Sequence, residues 1–393
     1  MTALRRVALV GGATTKFGLR AATWPELAQE AGAVLFRAVP ELRSADVDSL
    51  FLGAAEPERF AFQSHAAPLA AEQMGLTPRR IIQRTELACA SGQSAIRSAY
   101  AAIASGLSDI AVAVGVEKMN LPSMPEANAA MACVMDRSWD GVHGATAPPF
   151  FAMVAQRHML EFGTTEEQMA AVSAKNHRFA NANPTAQFHE KTFDRSKLLD
   201  LPLVAPPLRL GDCSSMTDGA AAVVLVAEEF ARRYTRTPVW IRGTGQYSNF
   251  HNLAHAGSLT DWKGLTIAAR EALAGAGITA QQLDLAELHD CFSISEIIEY
   301  EALGLCPRGA GGAFAIDGRS DLGGEVVVNA RGGLLGCGHP LGATGIAQAV
   351  EVYQQFNGLV DPKRQVPEPS WALVHNLSGS ANVHSVMVYG RAS

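Results

Sequence analysis

Charge, cysteine and long apolar runs are all scarce in this chain, and each scarcity removes a class of protein. Charged residues make up 18 % of the 393, and the formal net charge is −6. With no dense Lys/Arg cluster, that balance argues against a nucleic-acid surface. No apolar run is long enough to span a bilayer as a helix. The first residues, MTALRRVALVGG, carry two arginines and then a short apolar stretch that ends at glycine. A signal peptide needs a longer apolar region and a cleavage site, so the stretch reads as a first strand. The six cysteines (Cys89, Cys133, Cys213, Cys291, Cys306 and Cys337) form no CxxC pair and keep no regular spacing. They read as reduced thiols rather than a disulfide framework, and the expected compartment is the cytoplasm. Apolar residues, by contrast, are plentiful. At 48 % of the chain they suffice for two core-bearing units, or for one fold with a large insertion.

The same order of elements occurs twice. The first half runs from the strand of RRVALVGGATTKFG through a helix (Trp24 to Ala38) to LRSADVDSLFLG, where Asp48 precedes a strand. The Ala-rich helix of CASGQSAIRSAYAAIASG and the apolar strand of SDIAVAVGVEKM follow. The second half opens at TPVWIRGTGQYSNF, has a helix around Leu265 to Ala274, and repeats the Asp-then-strand passage in ITAQQLDLAELHDCF. GHPLGATGIAQAVEVYQQFNG then supplies a helix with Ile346, Val350, Tyr353 and Phe356 at the spacing of one face, and two strands close the chain. Strands apolar throughout belong in a sheet covered on both sides, so the expected class is layered α/β. The domain boundaries expected are 1–119 plus about 208–236 for the first half, 120–207 for an irregular insertion covering a site, and 237–393 for the second half.

Alignment of the halves puts Cys89 and His339 at matching places, each just before an apolar helix. Packed about a pseudo-twofold axis, both helices would aim their N-termini at one region, where unpaired N–H groups and the helix dipole favour a thiolate. ELHDCFSISE (Glu287 to Glu296) raises a separate question, because it sets His289, Asp290 and Cys291 side by side. Cys291 is either a packed core thiol or an acid/base thiol. No His/Cys pair has ligand spacing in a helical frame, so no metal site is expected.

ACASGQSAI and GHPLGATG resemble the nucleophile and histidine motifs of the thiolase superfamily. HDCFS, with DCSSMTDGAAAVVL before it and YEALGLCPRGAGG after it, resembles the sterol-carrier-protein-2-type thiolases in particular. The resemblance runs over nearly the whole chain and implies a layered αβαβα fold of two duplicated halves with an inserted loop domain. It implies an acyl-CoA C-acyltransferase, running a reversible Claisen condensation or thiolysis of a 3-oxoacyl-CoA. Cys89 would take the acyl group, His339 would activate it, Cys291 would move the α-proton, and His289 would polarise the second thioester. Relatives are glycine-rich at the C-terminal turn, where a backbone N–H helps bind the first acyl oxygen. Here Ser378 and Ser380 flank a single Gly379, which leaves acyl size, rate and reaction type open.

The resemblance also implies no permanently bound cofactor, a coenzyme A thioester as substrate, and a homodimer or dimer of dimers built through the strand near 109–116. A small zinc-ribbon/OB-fold protein is a further expected partner. Coenzyme A contacts are expected in the insertion and around Ser248 to Ser258. Cys337 reads as packing, Cys133, Cys213 and Cys306 get no role, and His375 and His384 add polarity without an assigned purpose. A decarboxylating ketosynthase, an aldolase or other C-acyltransferase on the same scaffold, and a non-catalytic acyl-CoA-binding subunit are the competing readings. The last would fit loss of Cys89 or His339, and both are present.

Overall fold

The computed structural model describes residues 4–391. In the first half the strands are β1 (Val7–Thr14), β2 (Ser49–Gly53), β3 (Ile81–Thr85), β4 (Ile110–Glu117) and, after a small hairpin of β5 (Leu203–Ala205) and β6 (Leu208–Arg209), β7 (Gly219–Ala227). In the second they are β8 (Val239–Ser248), β9 (Leu285–Glu287), β10 (Val327–Val328), β11 (Trp371–Ser378) and β12 (Val383–Arg391). The order across the sheet is β10-β9-β11-β12-β8-β1-β7-β4-β2-β3.

Read outward from the β1–β8 seam, both halves follow one plan. The last strand lies antiparallel to the first and to the middle one, and two parallel strands follow. The aspartates repeat as well. Asp48 accepts the backbone N–H of Asp109 at 2.8 Å where β4 starts. Asp284 accepts those of Ser370 and Trp371 at 2.8 and 3.0 Å where β11 starts. The duplication read from the sequence is therefore present in hydrogen-bond detail.

Alternate residues of the strands feed separate cores, which is why the strands are apolar on both faces. In the first half, Ala8 and Val10 of β1 pack outward with Leu27 and Leu35 of the Trp24–Ala38 helix. Val7 and Leu9 turn inward, to a core shared with Ala372, Val374 and Met387 of the second half and with two helices, Ser91–Ala104 and Leu341–Phe356. The far face of the second half is covered by helices Lys263–Ala276 and Ser293–Ala302, with helices Ala147–Phe162 and Glu166–Asn181 from between the halves. The layers are helix, sheet, helix, sheet, helix.

Two expectations change here. The Leu341–Phe356 helix is buried nearly all round rather than on one face, with Gln348, Glu351 and Gln355 as buried as Ile346. Its polar side chains find partners instead of solvent: Gln348 donates to the Leu288 carbonyl at 2.9 Å, and Glu351 pairs with Arg364. The strand expected to join two copies, 109–116, is β4, which is hydrogen-bonded to β2 on one side and β7 on the other. It has no free edge to offer. The outer strand of that half is β3, with Ile82 42 % exposed.

Candidate active site

The two central helices meet N-terminus to N-terminus because glycine lets them. A Cβ on Gly92 would stand 2.5 Å from the Gly342 carbonyl oxygen, and one on Gly345 would stand 2.6 Å from the Gln93 nitrogen. Any side chain at either place would push the helices apart. Glu117, at the end of β4, ties the junction by accepting the N–H groups of Ala55 and Gly342 at 2.8 and 2.9 Å. Burial raises its carboxyl to about 7, against the pull of those backbone donors.

Cys89 sits in the single turn Ala88–Ala90 before the Ser91–Ala104 helix. The preceding Ala88 has φ +44°, a left-handed conformation unusual for a residue with a Cβ. Ser91 clamps this turn, its hydroxyl accepting the Leu87 N–H at 2.9 Å and donating to the Ala88 carbonyl at 2.7 Å. His339 precedes the Leu341–Phe356 helix. Its Nδ1 lies 2.7 Å from the Thr344 hydroxyl, which itself donates to the Pro340 carbonyl at 3.0 Å. A hydroxyl has one proton to give, so the Thr344 oxygen must accept from His339, and Nδ1 carries the hydrogen. Nε2 is left as a lone pair, buried and without a partner.

That lone pair has company. The Cys89 sulfur and one ring nitrogen each of His289 and His339 all lie within 4.8 Å of one another. The two imidazoles are set edge to face, centroids 4.8 Å apart at 85°. His289 is fully buried, and neither of its ring nitrogens has a partner. From the C-terminal turn, the Gly379 N–H is directed at the Cys89 sulfur. Gly379 has φ +57°, and a Cβ there would come 2.6 Å from Asn382 Oδ1, so the turn requires glycine at this position. Ser378, at the end of β11, contributes a carbonyl that accepts the Asn382 N–H at 3.3 Å.

The resting protonation differs from the thiolate expected at a helix N-terminus. Cys89 keeps part of its surface open, but the protein crowded around its sulfur pushes the thiol up to about 12, and the N–H groups of Gly379 and of Cys89 itself offset only part of that. Burial takes His339 down to about 3. His289 is held well below the usual histidine range by burial first, then by His339, His375 and His384. The pair at rest is a neutral thiol beside a neutral imidazole.

Cys291 lies next to this group rather than in it. It is buried, with its sulfur 3.7 Å from the Ser295 hydroxyl. Burial, then the Cys89 thiol, raises it well above the ordinary thiol range. Asp290 serves the loop instead. It accepts from the N–H groups of Leu334 and Leu335 at 2.7 and 3.2 Å and from Asn176 at 2.7 Å. Asn176 also donates to Glu296 at 2.7 Å, and Lys175 stands 3.0 Å from Glu296. Asp290, raised to about 8 by burial and by Glu296, is thereby a fixture between a helix end and a buried polar cluster. Cys337 packs as expected, its sulfur donating to the Arg331 carbonyl at 3.1 Å, and all six thiols are free.

Sequence reasoning missed Glu117, Thr344, Asn176 and Glu299. Thr344 alone had a local signal, five residues after His339 on the first turn of the same helix.

Beside the C-terminal turn a cavity of ≈ 290 Å³ is lined by Phe150, Tyr247, Asn249, Phe250, Ser258, Trp262, Ser380 and Ala381 among others. A larger one of ≈ 590 Å³, near Gly12 to Thr14 and Asn181 to Thr185, contains none of the site residues.

Comparison with known proteins matches the chain in two stretches. Residues 7–194 match the family described as thiolase, N-terminal domain, and residues 245–391 match thiolase C-terminal domain-like. An acetyl-CoA acetyltransferase of Methanothermobacter thermautotrophicus is 41 % identical, over 99 % of this chain and 100 % of that protein. The benzoylsuccinyl-CoA thiolase subunit BbsB of Thauera aromatica is 32 % identical over 97 % of each chain. Human sterol carrier protein 2 is 33 % identical over 95 % of this chain and 70 % of its own length. The solved Ltp2-ChsH2(DUF35) aldolase shares the fold, with TM-score 0.85 at 24 % identity, over 98 % of this chain and 97 % of that one. With both halves matched and identity sustained from the first strand to the last, this chain belongs to the thiolase family.

Proposed function

We propose that the protein is an acyl-CoA C-acyltransferase that carries its acyl group on Cys89. The observation that carries this is the cluster of Cys89, His289 and His339 within 4.8 Å, with the Gly379 N–H on the sulfur. In the first half-reaction His339 Nε2 takes the Cys89 proton as sulfur attacks the thioester carbonyl, and coenzyme A leaves with that proton. The Gly379 and Cys89 N–H groups cradle the oxygen on which charge develops. In the second, the Cys291 thiol passes its proton to His339 and the thiolate so formed takes the α-proton of another acyl-CoA; the carbanion attacks the acyl-cysteine carbonyl, and the Cys89 thiolate released recovers a proton from the His339 imidazolium. His289, and His339 Nε2 while it holds that proton, donate to the second thioester oxygen. Thiolysis is the same path reversed, with Cys291 protonating the departing carbanion.

The cavity beside Ser380 and Ala381 supports coenzyme A entry at the expected place, since Asn249, Phe250 and Ser258 line it together with Phe150 of the insertion. For assembly, β3, the outer strand of the first half, is the edge proposed for a second copy, and a zinc-ribbon/OB-fold subunit is the proposed additional partner. Among the described residues no helix is long and apolar enough to cross a membrane; a cytoplasmic site of action is part of the same proposal.

The cysteine with two histidines would also suit a decarboxylating ketosynthase, which is the second reading. Cys291 separates the two, because its thiolate accepts an α-proton but gives no evident way to stabilise a departing carboxylate. The test is exchange of labelled coenzyme A into acetyl-CoA with no acceptor present, alongside condensation with acetyl-CoA or malonyl-CoA as donor of the carbanion. Exchange with acetyl-CoA-dependent condensation is expected. Exchange with condensation only from malonyl-CoA would select the second reading, and no exchange would remove both.

A further inference from the structure

Beneath the His289–Cys291 loop, three buried ionisable residues form a chain that the chemistry above does not use. Glu299 lies on the Ser293–Ala302 helix, His375 on β11 and His384 on β12, and none is more than 1 % exposed. The proton positions follow from the fixed end. The Ala381 carbonyl can only accept, so His384 Nε2, 3.0 Å away, carries a hydrogen. A neutral His384 then offers Nδ1 as an acceptor, and His375 Nε2, 3.1 Å away, must donate to it. That leaves a lone pair on His375 Nδ1, 3.2 Å from Glu299 Oε1. The two atoms are off-line for an ideal hydrogen bond, yet neither has any other partner. Two lone pairs do not settle side by side in a buried site, so a proton lies between them. Glu299 Oε2 already accepts the His289 backbone N–H at 3.1 Å, which puts the proton on Oε1.

We infer that Glu299 is a neutral carboxylic acid and that Glu299, His375 and His384 are positioning residues, one hydrogen-bonded chain that registers the His289 loop against the Gly379–Ala381 turn. The turn needs such a tie. Gly379 and Ala381 both hold left-handed backbone, at φ +57° and +55°, and Gly379 supplies the N–H aimed at Cys89. Burial, then Asp290 and Glu296, holds Glu299 well above the usual carboxylate range, and burial takes His384 down to about 4. A Glu299 carboxylate with a His375 or a His384 imidazolium uses the same number of protons. Either puts two charges in a fully buried site, where burial holds both histidines below the usual range and Trp262 packs 5.7 Å from His384, and desolvation disfavours both.

Glu299→Gln and Glu299→Leu separate the possibilities. The amide offers an N–H to His375 Nδ1 and an oxygen to the His289 N–H, so coenzyme A exchange is expected within about threefold of the parent. Leucine does neither, and a loss of about tenfold or more is expected from the displaced turn and loop. In ¹⁵N NMR of the intact parent protein, His375 and His384 should each be neutral and protonated at Nε2. A tenfold loss in Glu299→Gln, or a doubly protonated His375 or His384, would overturn the inference. The effect on exchange rests on the acyltransferase reading and the NMR result does not, so failure of one is distinguishable from failure of the other. Should Glu299→Leu fail to fold, the glutamine variant and the spectra still decide.

Discussion

Cys291→Ala is expected to lower turnover about 10²- to 10⁴-fold while leaving Cys89 able to accept an acyl group. The two half-reactions make different demands on this thiol. Acylation needs a base at Cys89, and His339 Nε2 is the lone pair placed for it. Condensation needs a base at the second substrate, and Cys291 lies next to the cluster with the Ser295 hydroxyl 3.7 Å from its sulfur. After burial, a charged Cys89 is the next influence raising Cys291, so the site does not hold both sulfurs as thiolates at once. Single-turnover acylation at parental rate with lost thiolysis is the expected pattern. Equal loss of both steps would mean that Cys291 only supports the site.

His339→Asn is expected to slow the acylation step itself by about 10²- to 10⁴-fold. Asparagine retains a hydrogen-bonding side chain but offers no nitrogen lone pair for a thiol proton. The pH profile checks the same assignment. With Cys89 raised to about 12 and His339 lowered to about 3 by burial, the reactive form is the neutral pair. Protonation of His339 removes the base, so activity falls as pH drops through its lowered value rather than through the ordinary histidine range. The acylation rate should show no histidine limb between about pH 5 and 8. A limb near the ordinary histidine value would indicate a solvated imidazole and contradict the buried neutral pair.

Much of this site was legible because its chemistry is local in sequence. Cys89 and His339 each open an apolar helix, and the repeated order of elements around them shows that the two helices belong at matching places. Asp48 and Asp284 look alike in sequence because they perform the same backbone-pinning at the start of β4 and β11. The remainder depends on contacts between distant segments. Glu117 reaches residue 342, and the Glu299–His375–His384 chain crosses from a helix to two strands, so no period or short motif announces them. The Leu341–Phe356 helix misled for a related reason. Its polar residues imply a wet face, yet the Leu288 carbonyl, Arg364 and Asn376, all distant in the same half, satisfy them inside the protein. An apolar run such as β4 likewise reads as a strand without revealing that neighbours occupy both of its edges.

The central claim is that Cys89 carries the acyl group and that Cys291 acts after it. Intact-mass analysis after brief exposure to acetyl-CoA and to acetoacetyl-CoA tests this most directly, on the parent protein, Cys89→Ala and Cys291→Ala. An acetyl adduct is expected on the parent and on Cys291→Ala, and none on Cys89→Ala, with thiolysis lost in both variants. An adduct that persists in Cys89→Ala, or thiolysis that survives there, would contradict it.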